Sequence, residues 1–251
     1  MKACIVVPFY NHAGAIGNVV DGLKPLGLQC LIVDDGSDAE AQQALSDLAL
    51  RETWVKIIRL PRNGGKGAAV MAGCDAALAA GFTHALQIDA DGQHDAADAT
   101  RLLELASRHP EAMIGGVAVY DSTVPRSRRY GRYLTHALVW LDTLSLQIRD
   151  SMCGFRVYPL APTCEVWRKH RIGRRMDFDI EIMVRLYWKG VRIIAFPTRV
   201  TYPRDGISHF NLVVDNIFII GMHVRLLFGM LWRLPALLSR RWMQRRDGAV
   251  E

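Results

Sequence analysis

Short apolar runs alternate with longer segments of helical periodicity through the first half of the chain. Residues 3–7 form a β-rich run stopped by Pro8, and Phe9-Tyr10-Asn11-His12 reads as a loop. A helical pattern over 15–26 leads to a second apolar run at 30–33, a helix over 39–50 and a third run at 55–60. A helix of small residues ends at Ala80, and a fourth run covers 83–88. Such alternation with short connections predicts a Rossmann-like α/β fold, a mainly parallel sheet flanked by helices. Further on, 112–119 and 192–196 predict strands, 125–132 a basic loop and 133–146 a helix. The expected division is a domain over 1–209 and a C-terminal segment over 210–251.

Three of the runs empty into polar loops, and in parallel sheets ligands gather at the carboxyl ends of strands. After 83–88 comes Asp89-Ala90-Asp91-Gly92-Gln93-His94. Asp89 and Asp91 supply oxygen ligands of the kind Mg²⁺ or Mn²⁺ prefer, with room left for phosphate oxygens. Asp34-Asp35-Gly36-Ser37-Asp38 ends the second run; it is either a turn with a helix cap or a carboxylate site for a nucleobase or ribose. Asn63-Gly64-Gly65-Lys66-Gly67 opens a helix, where backbone N–H groups and a lysine favour an anion. The Walker spacing is missing, so this loop either meets an anion or only shapes a pocket. A lone Asp-x-Asp is also what a solvated turn looks like; three such loops at strand ends are not explained that way.

Composition narrows the class. The 251 residues are half hydrophobic, enough for a sizeable core. Five cysteines without C-x-x-C spacing are expected to be reduced and mostly buried, and no signal peptide is visible. Charge is split: residues 1–123 carry 9 Lys+Arg against 15 Asp+Glu, and residues 124–251 carry 22 against 10. The second half wants an anionic partner, and its aliphatic runs and tryptophans suit a membrane surface better than nucleic acid. Over 211–232, Val213, Ile217, Ile220, Val224, Leu227, Phe228 and Leu231 share one helical face, while Asp215, Asn216, His223 and Arg225 lie elsewhere. Those polar residues would be expensive inside hydrocarbon. The expectation is an amphipathic helix lying at the cytoplasmic, inner face of the membrane without spanning it, followed by a tail bearing Arg240, Arg241, Trp242, Arg245 and Arg246. The alternative is a helix that covers the core or a homodimer interface.

The four segments Val7-Pro8-Phe9-Tyr10-Asn11, Val33-Asp34-Asp35-Gly36-Ser37, Asn63-Gly64-Gly65-Lys66-Gly67 and Asp89-Ala90-Asp91-Gly92-Gln93, in this order and spacing, resemble family 2 glycosyltransferases of the GT-A fold. Asp150-Ser151-Met152-Cys153-Gly154-Phe155-Arg156 is similar to a segment of the dolichyl-phosphate mannose synthase-like, polyprenyl-phosphate branch. That branch commonly ends its domain in Arg-x-x-Gly-x-Ser-Lys; here Arg204, Gly206 and Ser208 match and His209 replaces the lysine. The resemblance implies a nucleotide-sugar donor, held by Pro8, Tyr10, Asn11, Asp34, Asp35, Lys66, Asp89, Ala90 and Asp91. It implies Mg²⁺ or Mn²⁺ on Asp89, Asp91 and Gln93. Arg126, Arg128 and Arg129 are either a solvated or membrane-facing surface or, with Arg156 and Ser208, the groups that meet an anionic acceptor. Glycosyl transfer leaves negative charge on the departing diphosphate, so a cation at Asp91 and the guanidinium of Arg204 suit the leaving group. A lipid-phosphate acceptor needs no strong base; a hydroxyl acceptor does, and Asp150 is either that base or a loop aspartate that caps a turn or pairs with Arg156. Glu181 is expected to organise nearby arginines. The expected activity is metal-dependent, inverting transfer of a sugar from a GDP- or UDP-sugar to a lipid-linked acceptor such as a polyprenyl phosphate. Transfer to another lipid or glycan hydroxyl, nucleotidyl transfer and non-catalytic nucleotide-sugar binding are the alternatives.

Overall fold

The computed structural model describes residues 1–120, 126–201, 211 and 213–247, with the backbone alone described at 120, 126–130 and 240–247. Its chain order begins β1 (Ala3–Phe9), α1 (Ala13–Leu23), β2 (Cys30–Asp34), α2 (Ala39–Arg51), β3 (Val55–Arg59), α3 (Lys66–Ala79), β4 (His84–Gln87) and α4 (Asp98–Arg108). It continues with β5 (Met113–Tyr120), α5 (Arg126–Thr143), β6 (Arg156–Pro159), α6 (Leu160–Lys169), α7 (Phe178–Lys189), β7 (Ile193–Val200) and α8 (Val214–Asp247).

The seven strands form one sheet in the order β3-β2-β1-β4-β6-β5-β7, parallel except for β6, which runs antiparallel to both β4 and β5. The chain winds outward from β1 in both directions, so the β1/β4 boundary is the switch point where α/β sheets open a crevice. Alternate residues serve the two faces: Cys4 and Val6 pack under α3, α6 and α7, whereas Ile5 and Val7 pack under α1, α2 and α4. All five cysteines are free and buried.

Several boundaries depart from the periodic pattern. Pro8 does not stop β1. The Val6 carbonyl accepts from Ile88 N–H at 3.2 Å, and Ile5 N–H donates toward β2. Even-numbered residues of β1 therefore bond toward β4, and at Pro8 that strand has ended, so no ladder donor is lost. Residues 125–132, read as a basic loop, contribute Arg126 through Arg132 to α5. α4, β6 and α6 lie in stretches for which periodicity predicted no element. α8 continues through Pro235, which the pattern placed after the helix.

α8 is packed on the domain by one face. Met222, Leu226, Met230 and Leu237 are buried in the same core as α3, α6 and α7. His223 Nδ1 lies 2.8 Å from Asp142 Oδ2 on α5, and Arg225 donates to Glu181 on α7 at 3.0 Å. Gly229 admits the Trp188 ring, which a Cβ would meet at 2.8 Å. The opposite face, with Ile217, Ile220, Val224, Leu227, Phe228 and Leu231, is exposed.

Candidate active site

The loops after β1, β2, β3 and β4 converge on the crevice at the switch point. Asn11, at φ 54°, accepts from Asp38 N–H through Oδ1 at 2.9 Å and donates its own N–H to Ser37 Oγ at 3.1 Å, which stitches the first loop to the second. Pro8 is buried and Tyr10 half-buried beside them. Asp34 Oδ1 accepts from Ser37 N–H at 2.9 Å, and its Oδ2 is buried without a hydrogen-bond partner. Asp35 accepts from Gly64 N–H at 2.7 Å and from Gly65 N–H at 2.8 Å. Burial raises the Asp35 pKa against those two hydrogen bonds. Asp35 therefore ties the second loop to the third, and of the pair it is Asp34 that keeps an unengaged oxygen.

Lys66, at the start of α3, sits between two carboxylates. Its Nζ lies 2.8 Å from both oxygens of Asp89 and 2.8 Å from Asp179 Oδ2 on α7. Burial opposes the charge, yet Asp179 and Asp89 hold the ammonium well above the ordinary lysine range. Burial likewise opposes ionisation of Asp89, but Lys66 and His94 hold it well below the usual carboxylate range. Asp91 behaves oppositely: burial and then the charge of Asp89 raise its pKa, while its Oδ1 accepts from Gln93 N–H at 3.0 Å. Ala90, between them, is buried. Gln93 is half-buried, and its carbonyl accepts from Thr201 N–H at 3.0 Å just beyond β7. His94 Nε2 approaches Asp89 Oδ2 at 3.9 Å, and its ring lies 5.2 Å from that of Phe155.

Two carboxylates suit a hard cation. Among the described residues no cluster of three or more His, Cys, Asp or Glu is arranged to ligate one. A divalent ion held by Asp89 and Asp91 would therefore keep positions open for non-protein oxygens, and Asp91, half-buried beside a second carboxylate, is short of compensating positive charge.

The segment from Asp150 closes the other wall. Gly154 leaves room for the ion pair: a Cβ there would lie 2.4 Å from Asp89 Oδ2 and 2.6 Å from Lys66 Nζ. Two expectations are corrected here. Arg156 is not placed to meet an acceptor. It has no exposed surface, and its guanidinium donates to the carbonyls of Cys153 at 2.6 Å, Asp179 at 2.6 Å and Ser151 at 2.7 Å. Asp150 is buried and fully engaged: it accepts from Ala118 N–H at 3.0 Å, Met152 N–H at 2.9 Å, Cys153 N–H at 3.0 Å and the Arg132 guanidinium. A carboxylate so occupied is a loop anchor and a poor general base. The side chains of Arg126, Arg128 and Arg129, and all of Arg204 and Ser208, lie outside the described residues.

Behind this wall Glu181, without exposed surface, accepts from Gly173 N–H at 2.8 Å, from Arg185 at 2.8 and 2.9 Å and from Arg225 at 3.0 Å. It gathers arginines, as the sequence suggested. Asp179 was missed at the site; its signal was a position two residues from Glu181 on the first turn of a helix.

Comparison with known proteins identifies the family and the fold. The family model for glycosyl transferase family 2 matches residues 4–169. The polyprenol monophosphomannose synthase of Mycolicibacterium smegmatis is 24% identical over 224 residues, covering 84% of this chain and 81% of its own. The undecaprenyl-phosphate mannosyltransferase of Micrococcus luteus is 24% identical over 204 residues, covering 78% and 82%. Among solved structures, glucosyl-3-phosphoglycerate synthase from Mycobacterium tuberculosis, in complex with Mn²⁺ and UDP-glucose, superposes with TM-score 0.64 at 16% identity, covering 92% of this chain and 78% of that one.

Proposed function

The chain belongs to glycosyl transferase family 2 and is a glycosyltransferase with relatives that glycosylate polyprenyl phosphates, and from that premise we propose that it moves a sugar from a GDP- or UDP-sugar to a polyprenyl phosphate, by inverting, divalent-cation-assisted displacement. The observation that carries this reading is the Asp89/Asp91 pair at the end of β4, walled by Gly154 at the switch point of the sheet. In this reading Asp89 and Asp91 hold Mg²⁺ or Mn²⁺ with Gln93 beside them. The ion, when bound, neutralises charge on the departing diphosphate. Asp34, Pro8, Tyr10 and Asn11 line the nucleoside end, with Asp35 shaping it through Gly64 and Gly65. The Mn²⁺ and UDP-glucose bound by the structural neighbour support a cation and a nucleotide-sugar for this fold.

The engagement of Asp150 favours a phosphate acceptor over a hydroxyl. A phosphate oxygen is already anionic and needs no base, and the only carboxylate put forward for that duty has its oxygens occupied by three amides and Arg132. Arg126, Arg128 and Arg129 at the start of α5, with Ser208, are assigned to the acceptor phosphate, and Arg204 to the leaving group.

The catalytic unit in this reading ends near residue 209, and 210–251 seats it on the cytoplasmic face of an anionic membrane. Within α8, Val214–Ser239 is long and apolar enough to cross a bilayer, with mean hydropathy 1.6. Its burial of Met222, Leu226, Met230 and Leu237 along the domain favours a helix lying in the interface. The test is a single-turnover assay of the full chain in detergent with GDP- and UDP-sugars and polyprenyl phosphate. Free nucleoside diphosphate and glycosylated lipid are expected, and both should vanish in Asp91→Ala. Release of pyrophosphate, or no product with any donor, would overturn the reading.

A further inference from the structure

We propose that Lys66 is an exchangeable counter-ion: it holds Asp89 while the site has no cation, and moves to the donor diphosphate when a divalent cation takes Asp89. This rests on the assignment of Asp89 and Asp91 as cation ligands. It assigns Lys66 a second state and Asp179 a role in it.

The geometry supplies one ammonium for two carboxylates. Nζ is 2.8 Å from Asp89 and 2.8 Å from Asp179, and the Lys66 side chain is only 16% exposed. A lysine that released Asp89 without a second partner would be a buried, uncompensated charge, which is strongly disfavoured. Asp179 removes that barrier, because Lys66 keeps one partner throughout. Asp179 is itself fixed: its carbonyl accepts from Arg156 Nη1 at 2.6 Å, and its Oδ1 lies 3.6 Å from the same nitrogen. The parking position is therefore rigid and the ammonium on its flexible stem is the mobile part.

Charge and space agree. Asp89, Asp91 and Asp179 bring three carboxylates to the Lys66 ammonium and the Arg156 guanidinium, so the cluster stays short of positive charge, which a cation supplies. Gly154 lets the chain pass directly against Asp89 and Lys66 Nζ, where any side chain would intrude on the ion pair. Lys66 is the first residue of α3, so a lysine leaving Asp89 stays at the N-terminal end of a helix of 14 residues, whose dipole favours a diphosphate. As long as Lys66 occupies Asp89, a cation arriving alone must displace it without recompense. A cation arriving with a nucleoside diphosphate gives the ammonium a new anion. Cation and donor thus enter together, and the free enzyme holds little metal.

The experiment titrates Mn²⁺ into the full chain, with free ion read by electron paramagnetic resonance, alone and with saturating GDP or UDP, and then titrates the nucleotide at saturating Mn²⁺. Native protein is expected to bind Mn²⁺ at least tenfold more tightly when the nucleotide is present. In Lys66→Met, Mn²⁺ alone should bind at least tenfold more tightly than in native protein, while the nucleotide binds at least tenfold more weakly. These opposite signs are the signature, since a lysine that merely held the loop would weaken both. Asp179→Asn removes the parking position, so Lys66 stays on Asp89 and the nucleotide's enhancement of Mn²⁺ binding shrinks; this second variant decides the matter should Lys66→Met fail to fold. Unchanged Mn²⁺ affinity in Lys66→Met, a parallel fall of both affinities, or an undiminished enhancement in Asp179→Asn overturns the proposal. Equal Mn²⁺ binding by native protein and Asp91→Ala would instead overturn the cation assignment, and this proposal with it.

Discussion

Replacing Arg156 with methionine separates a structural role from an acceptor-binding one. The native guanidinium is wholly buried and supplies donors to the carbonyls of Cys153, Asp179 and Ser151, at 2.6 to 2.7 Å, while Nη1 also reaches the Tyr158 hydroxyl at 3.4 Å. Methionine fills much of the volume and donates nothing. Each carbonyl left dry costs about 1–3 kcal/mol, and loss of the buried partner 3.6 Å from Asp179 Oδ1 adds to that. Partial relaxation brings the expected total to about 3–5 kcal/mol, the range for breaking a buried charged network. For a chain of this size that corresponds to a fall in Tm of about 6–20 °C. Urea denaturation should show the loss in the midpoint with the slope unchanged. In parallel, KM for polyprenyl phosphate should hold at a temperature where the variant is folded. A stability change below about 1 kcal/mol combined with a raised acceptor KM would refute the reasoning and return Arg156 to the acceptor.

Gly154→Ala drives a Cβ into Asp89 and Lys66; because both neighbours are ends of side chains, the protein should fold with a loss of about 1–3 kcal/mol, yet Mn²⁺-dependent nucleotide binding should fall at least tenfold, and retention within twofold by calorimetry would count against the site. His136 has its pKa lowered to about 4 by burial and then by Arg132, against a hydrogen bond to the Arg149 carbonyl. The unfolded chain then takes up this proton first, so its contribution to stability is complete above the unfolded value of 6.5 and is lost as pH falls toward 4. His136→Gln should flatten the drop in unfolding free energy between pH 7.5 and 5 by on the order of 1 kcal/mol, measured by urea denaturation at each pH, and an unaltered slope would refute the assignment. On α8, Ile220 and Phe228 are 64% and 68% exposed, and burying each in lipid is worth about 1.5–3 kcal/mol. Ile220→Asp with Phe228→Asp should leave Tm unchanged and reduce sedimentation with anionic vesicles at least tenfold; undiminished sedimentation, or loss of a dimer in its place, would refute a lipid-facing role.

The strand-end loops were readable in the sequence because their signals are local. A proline, paired aspartates or clustered glycines after an apolar run mark a change of backbone whatever the rest of the chain does. β6 escaped because four residues, Arg156 to Pro159, buried on both faces, carry no alternation and begin with a charge. The burial of Arg156 is a tertiary fact: its partners Ser151 and Cys153 lie nearby in sequence, but Asp179 comes from another element. Asp35 and Asp150 show the same limit. Both carboxylates were recognisable as placed at a strand end or loop, but whether their oxygens meet a ligand or amides from residues about 30 positions away depends on folding. The exchange of partners at Lys66 needed Asp179, more than a hundred residues downstream, to be visible at all.

α8 makes the sharpest case for reading polarity together with packing. Its helical wheel separates Ile217, Ile220, Val224, Leu227, Phe228 and Leu231 from Asp215, His223 and Arg225, but a wheel does not say which side faces the protein. In a soluble domain the apolar side turns inward. Here Asp215 is buried and accepts from Asn211 N–H at 2.7 Å just before the helix, His223 is buried against Asp142, and Arg225, half exposed, reaches Glu181, so each ionisable group has a partner and the aliphatic face is left outside. The cost that such groups would impose in hydrocarbon is thereby met before the helix reaches lipid. Arg225 also joins the outward-facing helix to Glu181, which holds Gly173, in the loop whose Arg174 carbonyl accepts from Ala68 N–H beside Lys66. The helix that would rest on the membrane is therefore tied by direct hydrogen bonds, through α7 and the loop of Gly173 and Arg174, to α3, whose first residue is Lys66.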